Sequence, residues 1–386
     1  MLLVALLGIG LPQTTRLDGA YLKTLARDTW HCIASLEASR SGRPYDNSTR
    51  GEFTSVSNSG IYLTSVVSAE TMGFITQSEA SSRIERTLAG LEKLKTWFGF
   101  QQSWNSVLDL EPSKSDTAVS ILDSANLCAG LLTVVRMHPE VAIRARRLFR
   151  AHDWGQFYDA KQTTLLGGYD TKKQEFNSKW HLDALGTDAA LAQFFSVATG
   201  GAPISYWQSL KRGQVDWEGE KFLWPGWEGG GLFMQYISGL WLDLKDTELG
   251  NSGQAFADAQ VKHMKTLGSP VWGWSACNNP DGGYLGWASL KAEVVTPHAS
   301  VLSIATTTQS TIANLHALEQ LGARSETDGF YDSYNWKTKK FSKTFLILDQ
   351  GMILISLTNY LKANAIRAAF QSDPTVQKGR KLLGMP

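Results

Sequence analysis

Apolar residues recur at spacings of three and four along most of this chain, and that recurrence limits its fold more than any other feature. Leu22, Leu25, Ala26, Trp30, Ile33 and Leu36 mark one face of a helix over 18–38. A second helix is predicted from Gly60 to about Gly73. Thr76 and Glu79 then make a capping box, in which hydroxyl and carboxylate each satisfy a free backbone N–H, and open a third helix through Ile84, Leu88, Leu91 and Leu94. Further helices are predicted at about 122–137, 140–151, 184–198, 202–212, 230–245, 252–267, 297–306, 308–321, 349–363 and 364–383. Strand-like alternation is confined to short segments such as 163–170 and 343–348. Roughly a dozen helices, joined alternately by short turns and long aromatic loops, predict an all-α chain, an (α/α)6 toroid of inner helices wrapped by outer ones. No Pro- or Ser-rich linker divides it, so residues 18–386 are read as a single catalytic domain.

Composition narrows the partners. With 43% hydrophobic and 19% charged residues the chain can bury a large core and is not disordered. Its 37 Lys and Arg nearly balance 36 Asp and Glu, so the basic excess of a nucleic-acid binder is missing. The cluster Arg144-Ala145-Arg146-Arg147 reads as a solvated helix face. Met1 to Leu11 is too short to span a bilayer, so no stable membrane insertion is expected. That stretch suits the apolar region of a leader, although a basic start and a small-residue cleavage site are absent. Residues 1–17 are therefore read as a partial leader, with a periplasmic or extracellular location and a monomeric state as expectations. Cys32, Cys128 and Cys277 lie far apart, and no His pair has metal spacing. Neither a metal nor a cofactor is expected.

Tryptophan is the anomaly. There are 14, several in Gly-rich loops: Trp217, Trp224 and Trp227, then Trp272, Trp274 and Trp287. An indole offers a flat π-face to the C–H face of a pyranose and an N–H to its hydroxyls. Cleaving a glycosidic bond also needs two carboxyl groups, one to protonate the leaving oxygen and one to activate water or attack the sugar. Five acids stand in suitable settings. Asp123 opens an apolar helix, Asp188 follows Gly186-Thr187, and Glu228 lies in the Gly-rich loop after Trp227. Asp332 sits in Gly329-Phe330-Tyr331-Asp332-Ser333-Tyr334-Asn335-Trp336, and Asp349 begins Asp349-Gln350-Gly351-Met352. Asp123, Asp188 and Asp349 also fit plain helix caps. His298, after Thr296-Pro297, reads first as a hydrogen-bonded structural imidazole and second as a ligand of sugar hydroxyls.

These segments resemble the glycoamylase-like domain and its relatives, the endo-β-1,2-glucanase families and the corresponding domain of cyclic β-1,2-glucan synthases. Trp272-Gly273-Trp274-Ser275-Ala276-Cys277 with Gly283-Tyr284 is similar to the family's "WGxxA…GY". Val295-Thr296-Pro297-His298-Ala299-Ser300 matches "hxPxAA", and Gly329 to Asn335 looks like "GFxDxFN". Leu348 to Leu354 with Asn359-Tyr360 resembles "IDQGPxxxMxENY". More loosely, Thr54 to Leu63 resembles "TSPTNIGLYLL" and Asp123 to Leu127 "VDSGNLA". The resemblance implies an (α/α)6 toroid, glycan hydrolysis and no metal. It puts a general-acid Glu of the glucanases at Asp188, one methylene shorter here, and a second acid of theirs at Asn126. Asp332 or Asp349 would then be the base.

The resulting expectation is a glycoside hydrolase acting on an oligosaccharide or polysaccharide, with β-1,2-glucan foremost. Asp188, Asp332 and Asp349 are the catalytic candidates. Asp123, Asn126, Glu228, Gln235 and His298 are expected to contact sugar hydroxyls, with Trp227, Trp274, Trp287, Tyr331 and Trp336 as aromatic walls. A polysaccharide lyase would need positive charge for uronic acids, which the near-even charge disfavours. A non-catalytic glycan-binding protein is the third reading.

Overall fold

Helix starts are set by polar side chains placed just ahead of the apolar runs. Ser55 Oγ accepts from Asn58 N at 3.0 Å, Thr76 Oγ1 from Glu79 N at 3.2 Å, and Thr247 Oγ1 from Gly250 N at 3.1 Å. Each satisfies an N–H that has no partner inside its helix. Gly73 and Gly200 end helices with φ of 75° and 88°, a region open to glycine at little cost.

The computed structural model describes residues 16–224, 231–286 and 293–386. Among them run α1 (Arg16–Ser35), α2 (Val56–Met72), α3 (Gln77–Leu91), α4 (Ile121–Met137), α5 (Ala142–Arg150), α6 (Ala190–Thr199) and α7 (Ile204–Ser209). They continue with α8 (Gly231–Tyr236), α9 (Glu248–Thr266), α10 (Pro297–Leu302), α11 (Thr308–Gln320), α12 (Ile347–Leu361), α13 (Ala365–Gln371) and α14 (Pro374–Leu383). The chain is helix-rich, as its periodicity implies.

Two kinds of helix alternate. α2, α4, α6, α10 and α12 are buried on nearly every side, whereas α1, α3, α5, α9 and α11 bury one stripe and expose the other. A helix apolar all round belongs inside, an amphipathic one outside. The buried helices adjoin one another: α2 packs on α4, α4 on α6, α8 on α10, α10 on α12, and α12 back on α2. Glycines set the tightest crossing. A Cβ on Gly60 would lie 2.2 Å from Asn126 O, and one on Gly130 would lie 2.3 Å from Gly60 O. No helix among the described residues is long and apolar enough to cross a membrane.

Several boundaries differ from the periodicity. The helix expected from 184 begins at Ala190, leaving Asp188 on the preceding loop. The helix expected over 230–245 is a short α8 followed by a 3-10 turn at Ile237–Leu240. Pro374, with Asp373 as cap, divides the expected 364–383 helix into α13 and α14. Strands are two to four residues long. The 163–170 segment forms two of them, Thr164–Leu166 and Gly168–Asp170. No strand forms over 343–348; Thr344 and Phe345 accept single backbone bonds from Asp332 and Ser48, and α12 begins at Ile347.

Candidate active site

Asp123, Asp188 and Asp349 lie where aspartates often cap helices, and none of them is a cap. α4 is capped by Ser120, whose Oγ accepts from Asp123 N at 3.3 Å. Ala189 and Leu346 occupy the cap positions of α6 and α12, with no side-chain hydrogen bond. The three carboxylates are left for other partners, and together with Asp332 they form two groups.

The first group is deep. Asp332 is 1% exposed and Asp349 4%. Asp332 Oδ2 accepts from Asn278 N at 2.6 Å, and its carboxyl lies within 4.8 Å of that of Asp349. Two buried carboxyl groups this close cannot both ionise without a large cost. Burial holds Asp332 well above the usual carboxylate range, reinforced by the charge of Asp349. Burial also raises Asp349 to about 7, with Asp46 adding to the rise and the bond from Asp332 opposing it. Asp332 thus holds its proton the more firmly, and Asp349 is the first of the two to ionise. His298 Nδ1 lies 3.2 Å from Asp349 Oδ2 and also bonds Thr296 Oγ1. Burial pushes its imidazole down to about 4, so His298 is neutral at pH 7. His298, Asp332 and Asp349 present three ligand atoms within 4.8 Å of one another, a set that could also hold a cation in place of the proton.

The second group is shallower. Asp123 and Asp188 are both half-buried. Desolvation raises Asp188 to about 6, and the charge of Asp123 adds to it. Desolvation likewise raises Asp123 to about 6, against hydrogen bonds from Ser103 and Ser120. Raised carboxyl groups of this kind are where proton transfer near neutral pH becomes feasible.

A cavity of about 730 Å³ opens beside Asp188. Its wall includes Asp188, Leu122, Trp180, His181, Phe233 and Tyr284. Tyr284, 57% exposed as a residue, also feels the deep group: its phenol is raised by desolvation and then by the charges of Asp349 and Asp332. It stands on the hairpin of Cys277–Asn278 and Tyr284–Leu285, directly across from Asn278, whose N–H holds Asp332. Lys340 pins the hairpin tip through Asp281 at 2.5 Å.

Other expected positions are corrected. Trp274 is 1% exposed and packs on Trp217 and Phe256, so it is core and offers no open face. Gln235 is spent inside the fold: its Nε2 donates to Leu223 O at 2.8 Å and to Gly186 O at 3.3 Å, and its Oε1 accepts from Ser252. Asn126 donates to Ser57 Oγ at 2.9 Å across the α2–α4 contact and does not face the cavity as a free amide. His298 meets the acid pair and is 1% exposed, which removes it from the open wall. Tyr331 packs on Phe345, with Lys343 over its ring. Trp336 keeps a half-buried ring under Lys337. Trp227, Glu228 and Trp287 lie outside the described residues.

Three contributors went unnoticed in the sequence. Asp46 raises Asp349 and accepts from Asn58 Nδ2 at 2.8 Å; its segment carries no motif. Trp180 and Phe233 line the cavity, and nothing in their local pattern marks them. Only the polar run Asn177-Ser178-Lys179 before Trp180 hinted at a loop.

A family model described as "Putative glucoamylase" matches residues 189–374. This segment is of the glycoamylase family. A Bacteroides fragilis NCTC 9343 protein of the same description superposes with a TM-score of 0.86 at 21% identity, covering 96% of this chain and 98% of that one. The endo-β-1,2-glucanase of Chitinophaga pinensis, solved with sophorotriose and glucose, gives 0.85 at 16% identity, covering 95% and 98%. Both likenesses establish the fold. In sequence, the cyclic β-(1,2)-glucan synthase NdvB of Rhizobium meliloti (strain 1021) is 34% identical over 128 residues, 31% of this chain. Those residues are 4% of that protein, so the chain spans a small part of its relative. The glycoamylase-family segment holds Tyr284, His298, Asp332 and Asp349, and Asp188 immediately precedes it.

Proposed function

We propose that the chain is a glycoside hydrolase of β-linked glucan, with β-1,2-glucan as the leading substrate, and that its helices close into an (α/α)6 toroid. Alternation of buried and one-sided helices, and the return of α12 to α2, support the ring. One observation carries the chemistry: Asp188, with a raised affinity for its proton, shares a cavity wall with Tyr284, and Tyr284 feels the charges of the second, buried acid pair. That is the division of labour glycosidic cleavage needs.

In this reading Asp188 gives its proton to the glycosidic oxygen as the bond to the anomeric carbon breaks. Water adds to that carbon and passes a proton to the Asp332–Asp349 pair, where Asp349 carries the charge. Asp188 ends ionised, the pair ends with one more proton, and both return through solvent. His298, neutral, fixes the orientation of Asp349. Asp188 is a methylene shorter than the Glu of the glucanases it resembles, so the leaving oxygen must approach closer to α6.

The test is purified protein against a panel of linear and cyclic glucans, with products separated by chromatography. β-1,2-glucan is expected to be shortened, and Asp188→Asn to lower kcat by about 10²–10⁴ with an unchanged circular dichroism spectrum. Full activity in that variant would remove the assigned acid. Unsaturated products absorbing in the ultraviolet would point to elimination, and binding without any product to a glycan-binding protein.

A further inference from the structure

Trp180 is held in an arrangement that core packing does not require. It directly precedes the strand His181–Leu182, which pairs with Thr164–Leu166, and its carbonyl accepts from Gly167 N at 2.8 Å. A Cβ placed on Gly167 would lie 2.4 Å from Trp180 Cδ2, 2.5 Å from Cε2 and 2.8 Å from Cγ. One placed on Gly168 would lie 3.1 Å from Cζ3 and 3.2 Å from Cε3. Those atoms span both rings of the indole, so its face, not its edge, rests on the backbone of two successive glycines. Any side chain at Gly167 would fill the space the ring occupies.

The ring is half-buried, packed on one side and lining the cavity beside Asp188. Around it the cavity wall offers Lys179, His181, Asp183 and Thr187, polar groups suited to hydroxyls. Gly167 O also accepts from Ile121 N at 3.1 Å, so the same glycine ties this wall to the start of α4, which carries Asp123.

We infer that Trp180 is the stacking platform of a pyranose-binding subsite next to Asp188, laid flat by the Gly167–Gly168 backbone. A π-face backed by protein and open on the other side takes the C–H face of a sugar, while the neighbouring polar groups take its hydroxyls. The assignment rests on the proposed reading that the ligand is a glycan, and it adds where one sugar ring sits relative to the acid.

Binding separates the subsite from the chemistry. Calorimetry would be run on Asp188→Asn protein with linear β-1,2-, β-1,3- and β-1,4-gluco-oligosaccharides. Trp180→Ala in that background is expected to weaken the best binder by roughly tenfold or more, about 1.4 kcal/mol, and Trp180→Phe by less. Gly167→Ala, which removes no polar group, is expected to weaken binding by displacing the ring, with thermal unfolding confirming that each variant is folded. Equal affinity in folded Trp180→Ala protein, or no binding of any of these sugars, would overturn the subsite. If sugars bind and Trp180→Ala weakens them while wild-type protein cleaves none, the subsite stands and the hydrolase reading falls.

Discussion

The two carboxylate groups differ in depth, and the difference separates their chemistry. Asp332 and Asp349 sit against each other at 1% and 4% exposure and settle their repulsion locally, with a proton on one and His298 beside the other. Asp123 and Asp188 are half-buried, with Asp188 on the cavity wall, and the charge of Asp123 reaches Asp188 through the field. Direct contact makes the deep pair a unit in which neither residue titrates alone. Separation leaves the shallow pair free for the proposed roles, Asp188 as proton donor and Asp123 as the charge that tunes it.

The strongest way to break that contrast is Asp349→Asn. Losing the only charge of the deep pair is expected to cost about 10²–10⁴ in kcat, whereas Asp123→Asn removes a tuning charge and should cost far less. Steady-state kinetics on the preferred glucan decides; equal losses would erase the distinction. The smaller loss has a pH signature. The Asp123 charge raises Asp188, so its removal lowers that pKa and leaves less protonated acid. Relative to wild type, kcat/KM of Asp123→Asn should be depressed above pH 6 or so and recover on acidification, read from a full pH profile.

Stability sharpens the deep side. A buried carboxyl with a raised folded pKa favours its neutral form, so its contribution is full below the unfolded value of about 3.9 and is lost as pH rises through the folded one. For Asp349 that value is about 7. The thermal midpoint of wild type should therefore fall from acid toward neutral pH, and Asp332→Asn, with one carboxyl fewer, should flatten the fall. A midpoint insensitive to pH in both would contradict a shared proton. Tyr284→Phe removes a hydroxyl on the cavity wall that feels the charges of the deep pair, and a loss of about tenfold in kcat/KM is expected by the same assay. The smallest effect is expected from a chelator: activity should survive dialysis against EDTA, because the proton on Asp332 already neutralises the set. Activity lost to EDTA and restored by a divalent metal would replace that proton with a cation.

Legibility followed the range of the interaction. Asp349 and Asp123 were visible as polar groups opening apolar helices, and the structure adds that neither is used as a cap. Asp332 stood out because its aromatic, polar run is too rich for a turn. Trp274 was read as a cleft wall, and Trp180 was not singled out at all. Trp274 sits in a Gly-rich run that looks like a loop and is core, while Trp180 lines the cavity because two glycines thirteen and twelve residues earlier make room for its ring. Gln235 failed for a similar reason: its amide is consumed by Leu223 and Gly186, partners that no local pattern reveals.

By itself the sequence determined the helices, their alternation and the stock of acids, because periodicity, caps and glycine stops act over a few residues. Tertiary structure alone decided which acids touch, which indole keeps an open face and which polar groups are already spent. Those outcomes depend on desolvation and contact between segments far apart in the chain, such as Asp46, Asn278, Asp332 and Asp349, and neither exists until the chain is folded.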